Sequence, residues 1–181
     1  LTIVKPYFPP YMKYGIMHAK LIIYRTTDFV RVIVSSGNLM PHDYDEGPIQ
    51  NILYVQDFKA SQPASYSGKS EFFVDLCKFV TLLGARELIP LLSGFDFSNT
   101  EHVRLVYSTP GTILVDSKCC GLEMLGRACS VFHADMQVDP VVTVQGSSLG
   151  RLSMEWLCQF YEKVSGKKTK SELPKLNIVF P

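Results

Sequence analysis

Neither sign of charge dominates these 181 residues: 18 lysines and arginines stand against 17 aspartates and glutamates, a formal net charge of +1. That balance excludes a protein-wide field for steering to polyanions, so any affinity for nucleic acid must come from a local patch. No apolar run approaches the roughly 20 residues of a membrane-spanning helix, and no secretory signal is visible. No membrane partner is expected. The five cysteines, Cys77, Cys119, Cys120, Cys129 and Cys158, are odd in number and lack the paired spacing of a metal site. They read as reduced thiols of an intracellular protein. No cluster has the ligand count of a zinc or magnesium centre, so no metal or cofactor is expected. There is no internal repeat. The chain opens on the strand-like Leu1-Thr2-Ile3-Val4 without an initiator methionine, which suggests a fragment or a processed chain. With 46% hydrophobic and 19% charged residues, it reads as one domain over 1–181 with a proper core.

The residues able to do chemistry gather around one hairpin. His18-Ala19-Lys20 runs into the β-branched and aromatic Leu21-Ile22-Ile23-Tyr24. Thr26-Thr27-Asp28-Phe29 supplies a turn, and Val30-Arg31-Val32-Ile33-Val34 reads as the returning strand, followed by Ser36-Gly37-Asn38. Antiparallel folding pairs residues whose numbers sum to about 55, so His18 meets the Gly37-Asn38 end. His18 and Lys20, two apart on a strand, leave the same face. An imidazole, an ammonium and a carboxamide at one sheet corner can hold and attack a phosphodiester.

The remaining pattern alternates strands and helices. Before the hairpin, a proline-rich loop shows Tyr14 among other aromatics and lysines, a mixture suited to base stacking and phosphate contact. A third strand is expected over 49–58, with Gln50 at its start, and a surface loop over 59–69. The apolar stripe of Phe72, Phe73, Leu76, Phe79, Val80 and Leu83 predicts a helix over 71–83, capped by Ser70 and ended by Gly84. Further expectations are a short helix over 87–92, a strand over 102–107 and a helix over 118–132. A strand over 141–144, a helix over 153–164 and a strand over 176–180 complete the pattern, with a basic linker over 163–170. Together these predict an α/β fold, a mixed sheet flanked by helices on both faces. Between the strand over 141–144 and the helix that follows lies Gln145-Gly146-Ser147-Ser148-Leu149-Gly150-Arg151. Its glycines free backbone amides, its serines add donors, and a helix N-terminus follows, all favourable to a phosphate.

The His-x-Lys hairpin ending in Ser36-Gly37-Asn38 resembles a catalytic half-motif of the phospholipase D superfamily. The usual motif also has an Asp five residues after the Lys. Here that position is Arg25. A motif without that Asp is similar to the tyrosyl-DNA phosphodiesterase family. Tyr14 to Lys20, Asn38-Leu39 with the loop to Gln50, Tyr107 to Gly111, and Gln145 to Gly150 with Glu155-Trp156-Leu157 match it in order. The resemblance implies a nuclear, metal-free DNA-repair phosphodiesterase that hydrolyses the 3′-phosphodiester linking DNA to a tyrosine. His18 would be the nucleophile that becomes a phosphohistidine, with Lys20 and Asn38 on the non-bridging oxygens and Gln50 supporting them from behind. Tyr14, Ser147, Ser148, Gly150 and Arg151 would contact DNA, Arg151 standing where a second small hydroxyl residue is expected. The implied partners are DNA with a 3′-blocked end, single-stranded or frayed, and the tyrosyl peptide of a trapped topoisomerase.

The superfamily builds one active site from two halves, each with its own His-x-Lys. No other histidine here is followed by lysine two positions later: His42 has Tyr44, His102 has Arg104, His133 has Asp135. The chain therefore reads as the N-terminal half of a phospholipase D-like two-half fold, inactive alone, whose partner is the C-terminal half of the same enzyme. Two other readings fit a single motif. One is a non-catalytic DNA-binding or interaction domain, and the other is an enzyme completed by two identical chains.

Overall fold

The computed structural model describes residues 1–6, 8, 10, 16–45, 51–61, 70–110, 121–133, 140–146, 150–169 and 175–179. The chain divides into two compact units, Leu1–Gly111 and Thr112–Pro181.

The first unit is built on a three-stranded sheet in the order β1-β2-β3, with β1 at Lys20–Arg25, β2 at Phe29–Ser35 and β3 at Leu53–Lys59. The turn fixes the hairpin. The Thr26 N–H donates to Phe29 O at 2.9 Å, while the Thr26 hydroxyl oxygen accepts the Phe29 N–H at 3.0 Å. The register then runs from Lys20 opposite Ser35 to Arg25 opposite Val30, each pair summing to 55 as the sequence predicts. β3 pairs antiparallel with β2 and starts at Leu53, later than expected; residues 46–50 lie outside the described residues. The Arg31 guanidinium grips Asp57, its direct cross-strand partner, through two bonds of 2.6 and 2.8 Å. That hydrogen-bonded grip holds the Asp57 carboxyl below the usual carboxylate range.

One face of this sheet, carrying Val30, Val32 and Phe58, is buried. Against it lies α1, Glu71–Leu82, whose Ser70 hydroxyl accepts the Phe73 N–H at 3.2 Å. Leu83 caps its end and Gly84 follows with φ +84°. Phe72 stacks on Phe58 with centroids 5.9 Å apart, and Phe97, fully buried, stacks on Phe58 at 4.1 Å. These rings are the core of the unit. The opposite face shows Tyr24, Leu53 and Val55 largely to solvent. Among the described residues, 103–107 form no strand: Leu105 and Tyr107 are buried and Val106 between them is exposed, but the run joins no ladder. Within the same set Leu1–Val4 joins no ladder, and the short helix expected over 87–92 is a 3₁₀ segment, Arg86–Leu91, with Pro90 inside.

The second unit holds α2, Gly121–His133, then β4, Val142–Gln145, α3, Met154–Ser165, and β5, Leu176–Val179. β4 and β5 pair in parallel, which the intervening helix permits. The strands are thus α/β in kind but divided: antiparallel pairs occupy one sheet and the parallel pair another. Among the described residues they form two sheets and not the single mixed sheet expected, and within the first unit α1 lies against one face of the larger sheet. Lys163, expected in a basic linker, lies in α3 and pairs with Glu123 at 2.7 Å. α3 ends in a left-handed cap at Gly166, φ +70°, where His133 Nε2 bonds Val164 O at 2.9 Å. A Cβ on Gly166 would stand 2.6 Å from His133 Nδ1. Gly166→Ala should therefore cost about 2–3 kcal/mol, combining left-handed strain with displacement of the ring and its hydrogen bond. Trp156, the only tryptophan, lies in α3 and reports the loss by fluorescence-monitored urea unfolding.

Candidate active site

The open end of the hairpin carries the candidate site. β1 begins at Lys20, and His18 lies two residues earlier on the same run. Residues at that spacing on extended backbone share a face, and Lys20 Nζ stands 3.2 Å from His18 Nδ1. An ammonium can only donate. The contact therefore makes Nδ1 an acceptor and leaves the proton of the neutral ring on Nε2. β2 ends at Ser35, opposite Lys20, and the chain turns through Gly37 to Asn38. His18, Lys20 and Asn38 all line one cleft of about 340 Å³, with Met17, Ile22, Leu39 and Tyr44 forming its less polar wall. His18 and Asn38 are exposed and Lys20 is half-buried. A phosphate oxygen entering this cleft would meet the Lys20 ammonium and compete for the protons now shared with His18.

The turn that presents Asn38 is held from several sides. The Ser35 hydroxyl accepts the Gly37 N–H at 2.9 Å, and the Ser36 hydroxyl donates to Asn51 Oδ1 at 2.9 Å while accepting the Ile52 N–H at the same distance. The Asn51 amide donates to Asp43 O at 2.9 Å, and an Asp43 carboxylate oxygen accepts the Asn38 N–H at 2.8 Å. Gly37 allows a close approach: a Cβ there would come 3.0 Å from Asn51 Cγ, and that side chain would have to shift. Asp43 and Asn51 escape sequence reasoning because their partners lie 5 and 8 residues away across a turn. One signal was present. Pro41 opens the helical turn Pro41–Asp43, where proline is favoured at the first positions and an acidic residue follows.

His42 is exposed, stays 3.8 Å from the Asp43 carboxylate and does not line the cleft. Tyr14, Gln50, Ser147 and Ser148 lie outside the described residues. Gly150 and Arg151 are in the second unit, just before α3, and both are exposed. Arg151 stands two residues before Ser153, whose hydroxyl caps that helix by accepting the Trp156 N–H at 3.2 Å.

An imidazole, an ammonium and a carboxamide around one cleft are the groups a phosphodiester-handling site requires. The family model for tyrosyl-DNA phosphodiesterase matches residues 1–181, and the chain belongs to that family. Tyrosyl-DNA phosphodiesterase 1 of Arabidopsis thaliana is 28% identical over 188 residues, an alignment covering 94% of this chain and 30% of that protein. The chain thus spans under a third of the length of the curated relative it matches. No solved structure matches.

Proposed function

We propose that this chain is the nucleophile-bearing, N-terminal half of a DNA-repair phosphodiesterase acting on the 3′-phosphodiester between DNA and a tyrosine. The observation that carries the reading is the grouping of His18, Lys20 and Asn38 around one cleft in a chain matched throughout by this family. A ring nitrogen of His18 attacks phosphorus, a P–N bond forms, and the bond to the tyrosyl oxygen breaks. A proton from the second His-x-Lys half neutralises the leaving phenolate. Water, giving a proton back to the second half's now deprotonated His, then attacks phosphorus; the P–N bond breaks, and a 3′-phosphate leaves with both histidines restored. Lys20 and Asn38 hold the non-bridging oxygens as charge redistributes. Gln50 supports these groups from behind. Residues 1–181 act as one phospholipase D-like domain, with Tyr14, Ser147, Ser148, Gly150 and Arg151 on the DNA. The substrates are 3′-blocked DNA ends carrying the tyrosyl peptide of a trapped topoisomerase, and the compartment is the nucleus.

A 3′-phosphotyrosyl oligonucleotide tests this. The 181-residue chain should bind it at low salt, release it steeply as salt rises, and show no multiple turnover. Joined to a second His-x-Lys half, it should turn over and keep doing so in excess chelator. Turnover by the monomeric chain would overturn the half-site assignment. Turnover only on dimerisation would favour two identical chains, and loss on chelation restored by a divalent ion would overturn the mechanism.

A further inference from the structure

We infer that Asp43 is a positioning residue of the site, acting through the backbone of Asn38 to aim its carboxamide at the bound phosphate. The inference rests on the phosphodiester reading of the cleft. Asn38 lies beyond the end of β2 and is exposed, so neither the ladder nor burial in the core fixes it. A side chain on such a turn is placed only as well as its backbone. The bond made by that backbone is the 2.8 Å contact from the Asn38 N–H to Asp43 Oδ2.

Asp43 is itself fixed at both ends. Its N–H donates to Met40 O at 3.0 Å, and its carbonyl accepts the Asn51 amide at 2.9 Å. Its residue surface is only 8% exposed. A carboxylate so buried is costly unless its partners repay the lost hydration. The exposed His42 ring is 3.8 Å from Oδ1, too far for a hydrogen bond. The charge-assisted bond to Asn38 is therefore the main interaction the carboxylate makes, and such bonds are about twice as strong as neutral ones. The fold accepts a buried negative charge beside a cleft proposed for an anion, and what it gains is a fixed Asn38. The acceptor oxygen is what positions Asn38; the charge strengthens that bond and at the same time sets a second anion near the phosphate, two effects that oppose each other in binding.

The test uses the 181-residue chain and a 3′-phosphotyrosyl oligonucleotide, with binding read by fluorescence anisotropy. Asp43→Asn keeps an acceptor oxygen and should bind as the wild type does, or more tightly. Asp43→Ala should weaken binding roughly fivefold to tenfold, the worth of one well-placed hydrogen bond. In an Asn38→Ala background, Asp43→Ala should add nothing further. Full additivity of the two substitutions, or Asp43→Ala binding like the wild type while Asn38→Ala is weakened, would overturn the inference. A wild-type chain that fails to bind the probe overturns the phosphodiester reading, and the inference with it. Should Asp43→Ala not fold, amide hydrogen exchange on the wild type decides: the Asn38 N–H should exchange at least about tenfold more slowly than that of exposed Leu39. Equal rates would overturn the inference.

Discussion

Phe97→Ala should destabilise the first unit by about 3–5 kcal/mol, the range for emptying a buried aromatic site. Phe97 is fully buried and stands within 4.1 Å of the Phe58 ring and 4.7 Å of Phe73, centroid to centroid. Phe58 belongs to β3 and Phe73 to α1, so one ring joins the sheet to its covering helix. Its backbone carbonyl also accepts the Thr100 hydroxyl at 2.7 Å, which anchors the segment and limits collapse into the cavity. The loss is a large share of the roughly 5–15 kcal/mol that usually holds a domain together. Global hydrogen exchange at the Val30 and Val32 amides in central β2 measures it. Tyr24→Ala, on the open face and 55% exposed, is the control and should cost less than about 1 kcal/mol. Similar losses at the two positions would mean that the aromatic cluster is not the core.

The parts of the fold legible in sequence are those fixed by short-range rules. A two-residue hairpin turn leaves one antiparallel register, so pairing from Lys20–Ser35 to Arg25–Val30 follows from locating Thr27-Asp28. The stripe behind Ser70 fixes α1 to within one residue of its end. What escaped depends on partners distant in sequence. Leu105 and Tyr107 alternate like a strand because both are buried against other side chains, Tyr107 stacking on Phe79 at 4.8 Å. Period-two burial does not by itself make a ladder. The division of strands between two sheets is equally invisible to periodicity, which speaks of faces and not of neighbours. In the site, the same-face geometry of His18 and Lys20 was readable from their spacing, whereas Asp43 and Asn51 were not. Their value lies in a turn that returns the chain on itself.

In an enzyme completed by a second half, His18→Ala should remove the covalent phosphoenzyme and lower turnover at least about a thousandfold, as expected when a nucleophile is lost. The reason is local. The substitution would leave Lys20 and Asn38 lining the same cleft, so the phosphate keeps an ammonium and a carboxamide while losing the atom that attacks it. Affinity for the 3′-phosphotyrosyl oligonucleotide should therefore change little. Lys20→Ala should behave differently, because the ammonium 3.2 Å from His18 Nδ1 serves two partners. Its removal weakens ground-state binding and transition-state stabilisation together, raising KM and lowering kcat. It also removes the donor that keeps Nδ1 an acceptor, so the neutral ring should lose its preference for a proton on Nε2, readable in the nitrogen shifts of His18. A phosphohistidine is stable in alkali and lost in acid, so a phosphate label retained at high pH and released at low pH identifies the intermediate. A labelled adduct that survives in His18→Ala would assign the nucleophile to another residue. Loss of DNA binding in that variant, to the extent seen in Lys20→Ala, would mean that His18 grips the substrate and does not attack it.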